Sequence, residues 1–179
     1  MKKLILIQVV LASALSGCGG DGGDPAGFDA SPFYGVWLTE TTYCGSNAAQ
    51  GTDGTYYSSI DKFVKLTETQ YEFTADLYQG LTCNVKVGTL TEMVAITYSA
   101  ATITGKPVAA RLAFNSSFQK TATLSNGSPI ALQPRSGGTV TKTVIAIENG
   151  VIYAGDNSDT SAFDSDGYPT TVLRYGPKQ

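Results

Sequence analysis

Apolar and polar residues alternate with a period of two along much of the chain. In one clear case, Tyr71, Phe73, Ala75 and Leu77 are separated by Glu72, Thr74, Asp76 and Tyr78. Because successive side chains of a strand point to opposite faces of a sheet, this pattern predicts a strand with one buried face. The same spacing predicts further strands around Ile60, Val64 and Leu66 (with Lys62 out of pattern), Val94, Ile96 and Tyr98, Leu112 and Phe114, and Ile145 and Ile147.

Turn-forming residues separate the predicted strands. Gly, Asn, Asp, Ser and Pro cluster at 52–54, 126–129, 136–138 and 149–150. Asn149 and Gly150 predict a two-residue hairpin turn, because both residue types tolerate the positive φ that such a turn requires. No segment shows a sustained helical period. About eight to ten short antiparallel strands joined by hairpins predict an all-β domain, either a barrel or a sandwich.

The first 18 residues follow a different pattern. Lys2 and Lys3 precede an apolar run from Leu4 to Leu15, which is typical of a secretory signal and too short to span a bilayer. The following residues, Leu15-Ser16-Gly17-Cys18, closely resemble the lipobox of bacterial lipoproteins. That resemblance implies cleavage of residues 1–17 and acylation of Cys18, and several acyl chains together make a lasting membrane anchor. A secreted protein with an unmodified cysteine is the alternative.

The residues that follow Cys18 predict its destination and a tether. Lipoproteins retained at the inner membrane of Gram-negative bacteria tend to have Asp after the cysteine, whereas this chain has Gly19. In a Gram-negative host the resemblance therefore implies the outer membrane. Residues 18–31 are rich in Gly and Asp, so they predict a flexible tether. The expected domain is 32–176.

Composition excludes several classes of function. Loss of Lys2 and Lys3 with the signal changes the formal net charge from −3 to about −5, which argues against a nucleic-acid partner. The chain contains no histidine, so it has no Ser-His-Asp triad, no Cys-His pair and no zinc site that uses histidine. We therefore expect neither an enzyme nor a cofactor.

Gly35 and Trp37 begin the first predicted strand with a Gly-x-Trp sequence. This resembles the first motif of lipocalins and related calycin barrels, although the Thr-Asp-Tyr motif of a later strand is missing. In those families the Trp closes one end of the barrel and an Arg near the last strand packs over its ring. The resemblance thus implies an up-and-down barrel in which Arg174 contacts Trp37. The mature chain also resembles small bacterial lipoproteins with a cysteine pair and a Gly-Tyr-Pro-Thr segment, here 167–170.

Cys44 and Cys83 are the two cysteines that remain after Cys18 is assigned to lipid. In an oxidising compartment we expect them to form a disulfide, which would close a loop of about 40 residues and stabilise the fold by roughly 3–4 kcal/mol. Two free thiols or a redox-active pair are the alternatives, but the chain has no Cys-x-x-Cys sequence.

Other polar residues form weaker candidate sites. Two carboxylate pairs, Glu68 with Glu72 and Asp76 with Glu92, would suit acid–base chemistry if they met, yet each occupies a position where solvated carboxylates are common. The segment 156–167 contains four aspartates and would suit calcium, although it lacks the first aspartate and the final glutamate of an EF-hand loop. Six tyrosines are candidates for a pocket or a binding face, although tyrosine is more often an ordinary strand residue: Tyr56, Tyr57, Tyr71, Tyr78, Tyr98 and Tyr153.

Two functional hypotheses follow from the sequence. In the first, favoured by the calycin resemblance, the barrel binds a small apolar or amphipathic ligand at the cell envelope. In the second, side chains fill the barrel, and its surface binds an envelope protein as an inhibitor or assembly factor. Small barrels of this kind exist in both forms, so the packing of the interior distinguishes the two.

Overall fold

The computed structural model describes residues 28–40, 42–115, 118–134, 142–156 and 161–179. The predicted signal, the predicted lipidation site at Cys18 and the first part of the predicted tether, residues 18–27, lie outside the described residues. So do the predicted turn at 136–138 and residues 157–160 of the aspartate-rich segment. In the described part of the chain, no helix is long and apolar enough to cross a membrane.

Eleven strands and one 3-10 helix, at Ser31–Phe33, make up the described regular structure. The strands are β1 (Gly35–Leu38), β2 (Gly45–Gln50), β3 (Tyr56–Leu66), β4 (Gln70–Gln79), β5 (Val85–Ala100), β6 (Val108–Phe114), β7 (Gln119–Leu124), β8 (Pro129–Ile130), β9 (Lys142–Glu148), β10 (Val151–Gly155) and β11 (Val172–Pro177).

Eight of these strands form a nearly closed antiparallel barrel in the order β1-β3-β4-β5-β6-β9-β10-β11. The last strand returns beside the first, because the backbone N–H of Gln179 donates to Val36 O and that of Glu40 donates to Tyr175 O. Neighbouring strands follow chain order along this path. The prediction of an all-β up-and-down barrel is therefore confirmed.

The three strands outside this path, β2, β7 and β8, complete a second ring. This ring and the barrel share one wall, which consists of β3, β4 and β5. β2 pairs with the start of β3, β7 pairs with the first half of β5, and β8 pairs with β7. A bridge between Gly51 and Leu132 then connects the end of β2 to the residues after β8. The result is a six-stranded ring, formed by β2, β3, β4, β5, β7 and β8, which the period-two pattern did not predict.

Each ring has its own apolar core. The barrel core contains Phe33, Trp37, Leu66 and Leu112, none of which is more than 2% exposed. Phe28 and Ala30 also pack against it, so ordered contacts begin before the predicted domain start at Pro32. The core of the six-stranded ring contains Ala49, Tyr57, Ala75, Leu77, Leu90 and Ala122.

Trp37 lies inside the barrel, but its cationic neighbour is not the predicted one. Its ring is 1% exposed, and Nε1 donates to Phe33 O at 2.8 Å. Lys178 Nζ lies 5.2 Å from the ring centroid, whereas Arg174 binds both carboxylate oxygens of Glu40, at 2.5 and 2.7 Å. The expected contact between Arg174 and Trp37 is thus corrected.

The reason for this difference is the side-chain alternation of β11. Arg174 is in register with Tyr153, which packs on the outer face of the barrel, so its guanidinium also lies outside. Tyr175, the next residue, packs against the barrel core. Lys178 reaches Trp37 because the two residues form the bridge that joins the last segment to β1.

Gly176 permits the close approach of β11 to β1, and this generates a prediction. A Cβ at this position would overlap the carbonyl oxygen of Leu38. We expect Gly176→Ala to lower the free energy of unfolding by roughly 1–3 kcal/mol, because the backbone must shift to relieve the overlap. Chemical denaturation, followed by the fluorescence of Trp37, measures the change.

Gly45→Ala is the matched control for this prediction. A Cβ at Gly45 would meet its nearest atoms, on Ser59, at 3.6 Å, which is an ordinary contact. The control should therefore stay within about 0.5 kcal/mol of the unsubstituted protein. Equal stabilities for the two variants would contradict the importance of the close approach at Gly176.

Candidate functional site

The predicted disulfide is present and ties two loops together. The Cα atoms of Cys44 and Cys83 lie 5.9 Å apart, and the S–S distance is 2.06 Å. Cys44 immediately precedes β2, and Cys83 belongs to the loop between β4 and β5. The disulfide therefore joins the residue before β2 to the loop that connects β4 with β5.

The loop 80–84 is held against β3 by further contacts. Gly80 N–H donates to Tyr56 O at 2.8 Å, and Cys83 N–H donates to the hydroxyl of Ser58, a fully buried residue, at 3.1 Å. Gly80 and Cys83 both have positive φ, 82° and 51°. A non-glycine residue in this conformation is uncommon, so the disulfide and these hydrogen bonds together determine the path of the loop.

Exposed apolar side chains surround this disulfide. Among the described residues, four of the six exposed large apolar side chains lie here: Tyr43 (75% exposed), Tyr56 (49%), Leu81 (47%) and Val85 (58%). We call these four residues the disulfide patch. Apolar side chains on a loop that is held by a covalent bridge lose little conformational freedom on binding, which favours contact with another macromolecule.

Two lysines on the strands that carry Tyr56 and Val85 share the carboxylate of Asp76. Lys86 Nζ lies 2.9 Å from one carboxylate oxygen of Asp76, and Lys62 Nζ lies 3.6 Å from the other. The hydrogen bond to Asp76 raises the pKa of Lys86. The patch itself contains no charged side chain, and these three groups on the same wall carry one net positive charge, so the patch suits an apolar partner surface.

Tyr56 of the disulfide patch and the N-terminal segment lie at opposite ends of β3. Tyr56 begins β3, and Leu66, at the other end of this 11-residue strand, is in register with Gly35. A strand of this length spans roughly 33 Å. The segment from Phe28 to Gly35 therefore enters the fold about 30 Å from Tyr56.

Buried side chains from several elements pack together inside the barrel. Phe33, Trp37, Leu66, Leu112 and Ile145 come from five elements and pack in one cluster. A cavity of about 390 Å³ lies beside the turn between β3 and β4, and its lining includes the exposed residues Gln70, Ala95 and Gln119 together with the core residue Val94. The calycin resemblance implied an interior ligand pocket, and the packing of this cluster does not favour one.

A group of ionisable side chains lies on the inner face where the barrel meets the six-stranded ring. Lys120 Nζ binds Glu92 at 2.5 Å and donates to Ala48 O at 2.9 Å. Asp61, on β3, is in register with the buried Ala75 and therefore also points inward. Burial, with the charge of Glu92, raises the pKa of Asp61. We call Asp61, Glu92 and Lys120 the junction cluster.

The predicted carboxylate pairs do not form acid–base sites. Asp76 lies on the outer face with its two lysines, whereas Glu92 points inward to Lys120, so Asp76 and Glu92 lie on opposite faces of the sheet. Glu68 is exposed in the turn between β3 and β4, and Glu72 is on β4. No contact in the described structure joins Glu68 to Glu72.

Arg111 binds the described part of the aspartate-rich segment. Its guanidinium contacts Asp164 at 2.5 Å and Asp166 at 3.0 Å, and it lies 4.8 Å from the Tyr168 ring centroid. Partial burial acts to raise the pKa of Asp164, but hydrogen bonds from Tyr168 N–H and Arg111 lower it overall. Through these contacts Asp164 and Asp166 hold segment 161–171 on the outer face of the barrel. Among the described residues, no group of three His, Cys, Asp or Glu side chains is arranged to hold a metal ion.

The tyrosines named from the sequence have several different environments. Tyr57 and Tyr98 are core residues, and Tyr71 packs against the barrel core. Tyr78 is half-buried, and Tyr153 packs on the outer face beneath Lys106 Nζ, 3.5 Å from its ring centroid. Of the six, Tyr56 is the one that belongs to the disulfide patch.

Three residues of the disulfide patch were not predicted from the sequence: Tyr43, Leu81 and Val85. Each lies within two residues of a cysteine. The sequence did contain a signal for them, namely apolar residues next to cysteines that were expected to form a disulfide. Because a disulfide restricts the backbone, the side chains close to it cannot all turn into the core. The junction cluster was missed because pairing between β5 and β7 brings Lys120 to Glu92.

Comparisons with known proteins add no family to this description. No protein-family model, no curated protein and no solved structure matches the chain.

The disulfide generates a prediction about stability. It closes a loop with a sequence separation of 39, so its loss should reduce the free energy of unfolding by roughly 3–4 kcal/mol. We expect the variant Cys44→Ser/Cys83→Ser to unfold at correspondingly lower urea, and reductant to have the same effect on the unsubstituted protein. Reductant should not affect the double variant. Two alkylatable thiols in protein isolated under non-reducing conditions would show that the bridge does not form.

Proposed function

We propose that this chain is an envelope lipoprotein whose packed β-barrel presents the disulfide patch to a protein partner. The observation that supports this most strongly is the coincidence of exposed apolar side chains with a covalently held loop. Tyr43, Tyr56, Leu81 and Val85 remain exposed although the same chain buries comparable side chains in two cores. Aromatic and aliphatic residues on a rigid support are typical anchors of protein interfaces.

The filled barrel supports this function over the binding of a small apolar ligand. A barrel that stores such a ligand needs interior volume, and here Trp37, Phe33 and Leu112 occupy the barrel core. An eight-stranded barrel is just wide enough for side chains to fill it. The fold then serves as a rigid support for a surface.

Membrane attachment through Cys18 is the second part of the proposal, and the lipobox-like sequence Leu15-Ser16-Gly17-Cys18 supports it. The ten residues from Cys18 to Phe28 extend at most about 35 Å. Since Phe28 packs against the barrel core, and Tyr56 lies at the end of β3 opposite the Gly35–Leu66 pair, an anchored molecule would present Tyr56 away from the lipid surface. With Gly19 after the cysteine, the proposed location is the outer membrane.

Substitution of the lipidation site tests the anchor. We expect Cys18→Ser to abolish metabolic labelling with palmitate and to leave the protein out of the membrane fraction, because the acylated sulfur is removed. Cys44→Ser serves as the control, since it also removes a cysteine but leaves the lipobox-like sequence unchanged. Palmitate labelling that persists in Cys18→Ser would contradict the proposed anchor.

Photocrosslinking in cells tests the interaction surface. A photoreactive residue in place of Leu81 should give a discrete protein adduct, and one in place of Thr69, exposed at the opposite end, should not. Adding Tyr56→Ser and Val85→Ser to the Leu81 variant should reduce that adduct at least tenfold, because two apolar contacts are lost. An adduct to lipid, or an equal protein adduct from Thr69, would contradict the proposal.

The fluorescence of Trp37 separates the two hypotheses independently of the crosslinking. Trp37 is the single tryptophan and is 1% exposed inside the barrel. A ligand that enters the barrel should shift its emission, whereas a partner at the disulfide patch, whose side chains are exposed outside the barrel core, should leave it unchanged. A shift on addition of long-chain fatty acids would favour the ligand hypothesis instead.

A further inference from the structure

The junction cluster lies where the wall shared by the two rings changes partners. On β3, Ser59 is in register with β2 and Phe63 with β1, so Asp61 lies between the two pairings, next to a break in register. On β5, Met93 is in register with β7 and Ile96 with β6. Glu92 therefore lies at the corresponding change of partner on β5.

The charges at this junction are not balanced. Glu92 and Lys120 neutralise each other, and their side chains are only 18% and 16% exposed. Asp61 shares their inner face but, among the described residues, has no cation in an ion pair. An ionised carboxylate that is partly removed from water and lies near a second carboxylate opposes folding.

The other titratable groups that face Asp61 do not supply the missing charge. Tyr71, from β4, and Tyr175, from β11, both lie close enough for Asp61 to affect their titration. Burial, with the charges of Asp61 and Glu92, raises the pKa of Tyr71. Burial, with Tyr71 and Asp61, raises the pKa of Tyr175. Both phenols therefore stay neutral at physiological pH.

We propose that the junction between the two rings is a pH-responsive element, in which ionisation of Asp61 loosens the pairing of β5 with β7 and protonation tightens it. The inference does not depend on what the disulfide patch binds. The effect of pH is expected in the six-stranded ring because two of its strands carry the cluster. Lys120, the cation, belongs to β7, and Asp61 lies next to the part of β3 that pairs with β2.

The direction of the pH effect follows from linkage. A carboxyl whose pKa is higher in the folded state than in the unfolded chain binds its proton more tightly when folded. Such a carboxyl contributes most to the free energy of unfolding when the pH is below its pKa in the unfolded chain, which is about 3.9 for Asp. That contribution decreases as pH rises from about 4 through the folded pKa, and is constant above it.

Asp61→Asn tests this proposal, because Asn resembles the protonated carboxyl. Relative to the unsubstituted protein, the variant should unfold at nearly the same temperature at pH 4, and at a temperature higher by about 2–4 °C or more at pH 7.5. Glu72→Gln is the matched control, since it removes a carboxylate from β4, in register with Lys65 and outside the junction cluster, and it should show no such growth with pH. An Asp61→Asn difference that stays constant with pH would overturn the proposal.

Two measurements on the unsubstituted protein complete the test and need no variant to fold. The carboxyl carbon of Asp61, followed by NMR, should titrate above pH 4, and titration at or below the value of an unfolded chain would overturn the proposal. Hydrogen exchange of the amides in β7, corrected for intrinsic rates, should show less protection at pH 7.5 than at pH 5. Equal protection at both values would show that ionisation does not loosen the junction.

Discussion

The architecture depends on the backbone pairing of β5. This 16-residue strand pairs with β4 along most of its length, and its other edge is divided between β7 and β6. Because one edge serves two partners, the remaining strands close into two rings on a shared wall. Gly88 allows β7 to approach β5 closely enough to pair with it, because a Cβ at this position would overlap the carbonyl oxygen of Thr123 on β7.

The sequence predicted the local elements of this structure better than their assembly. The alternation of Tyr71, Phe73, Ala75 and Leu77 correctly placed the inner face of β4, and three of these residues pack in or against the six-stranded ring's core. Asn149 and Gly150 form the predicted hairpin turn, both with positive φ. Period-two alternation reports which face of a strand is buried, but not which strand lies beside it, so the second ring was not predictable from it.

The candidate site was predictable where chemistry restricted the choice and not where register decided it. Cys44 and Cys83 were the remaining cysteines, and the structure joins them. Arg174 and Lys178 are both basic residues near the end of the chain, and the side-chain alternation of β11 decides that Arg174 lies outside with Glu40. A shift of one residue reverses the face of every side chain, which is why a motif cannot assign such contacts.

Closure of both rings explains how this fold keeps apolar side chains exposed. Unpaired strand edges beside apolar surface promote aggregation, because another chain can add to the edge. In the described structure, the barrel returns from β11 to β1, and the ring returns from Leu132 to Gly51. The disulfide patch therefore lies on loops and strand ends beside a closed ring. In the proposed interaction a partner would recognise its side chains rather than extend its sheet, so the identity of Tyr56, Leu81 and Val85, more than their strand propensity, would determine what binds.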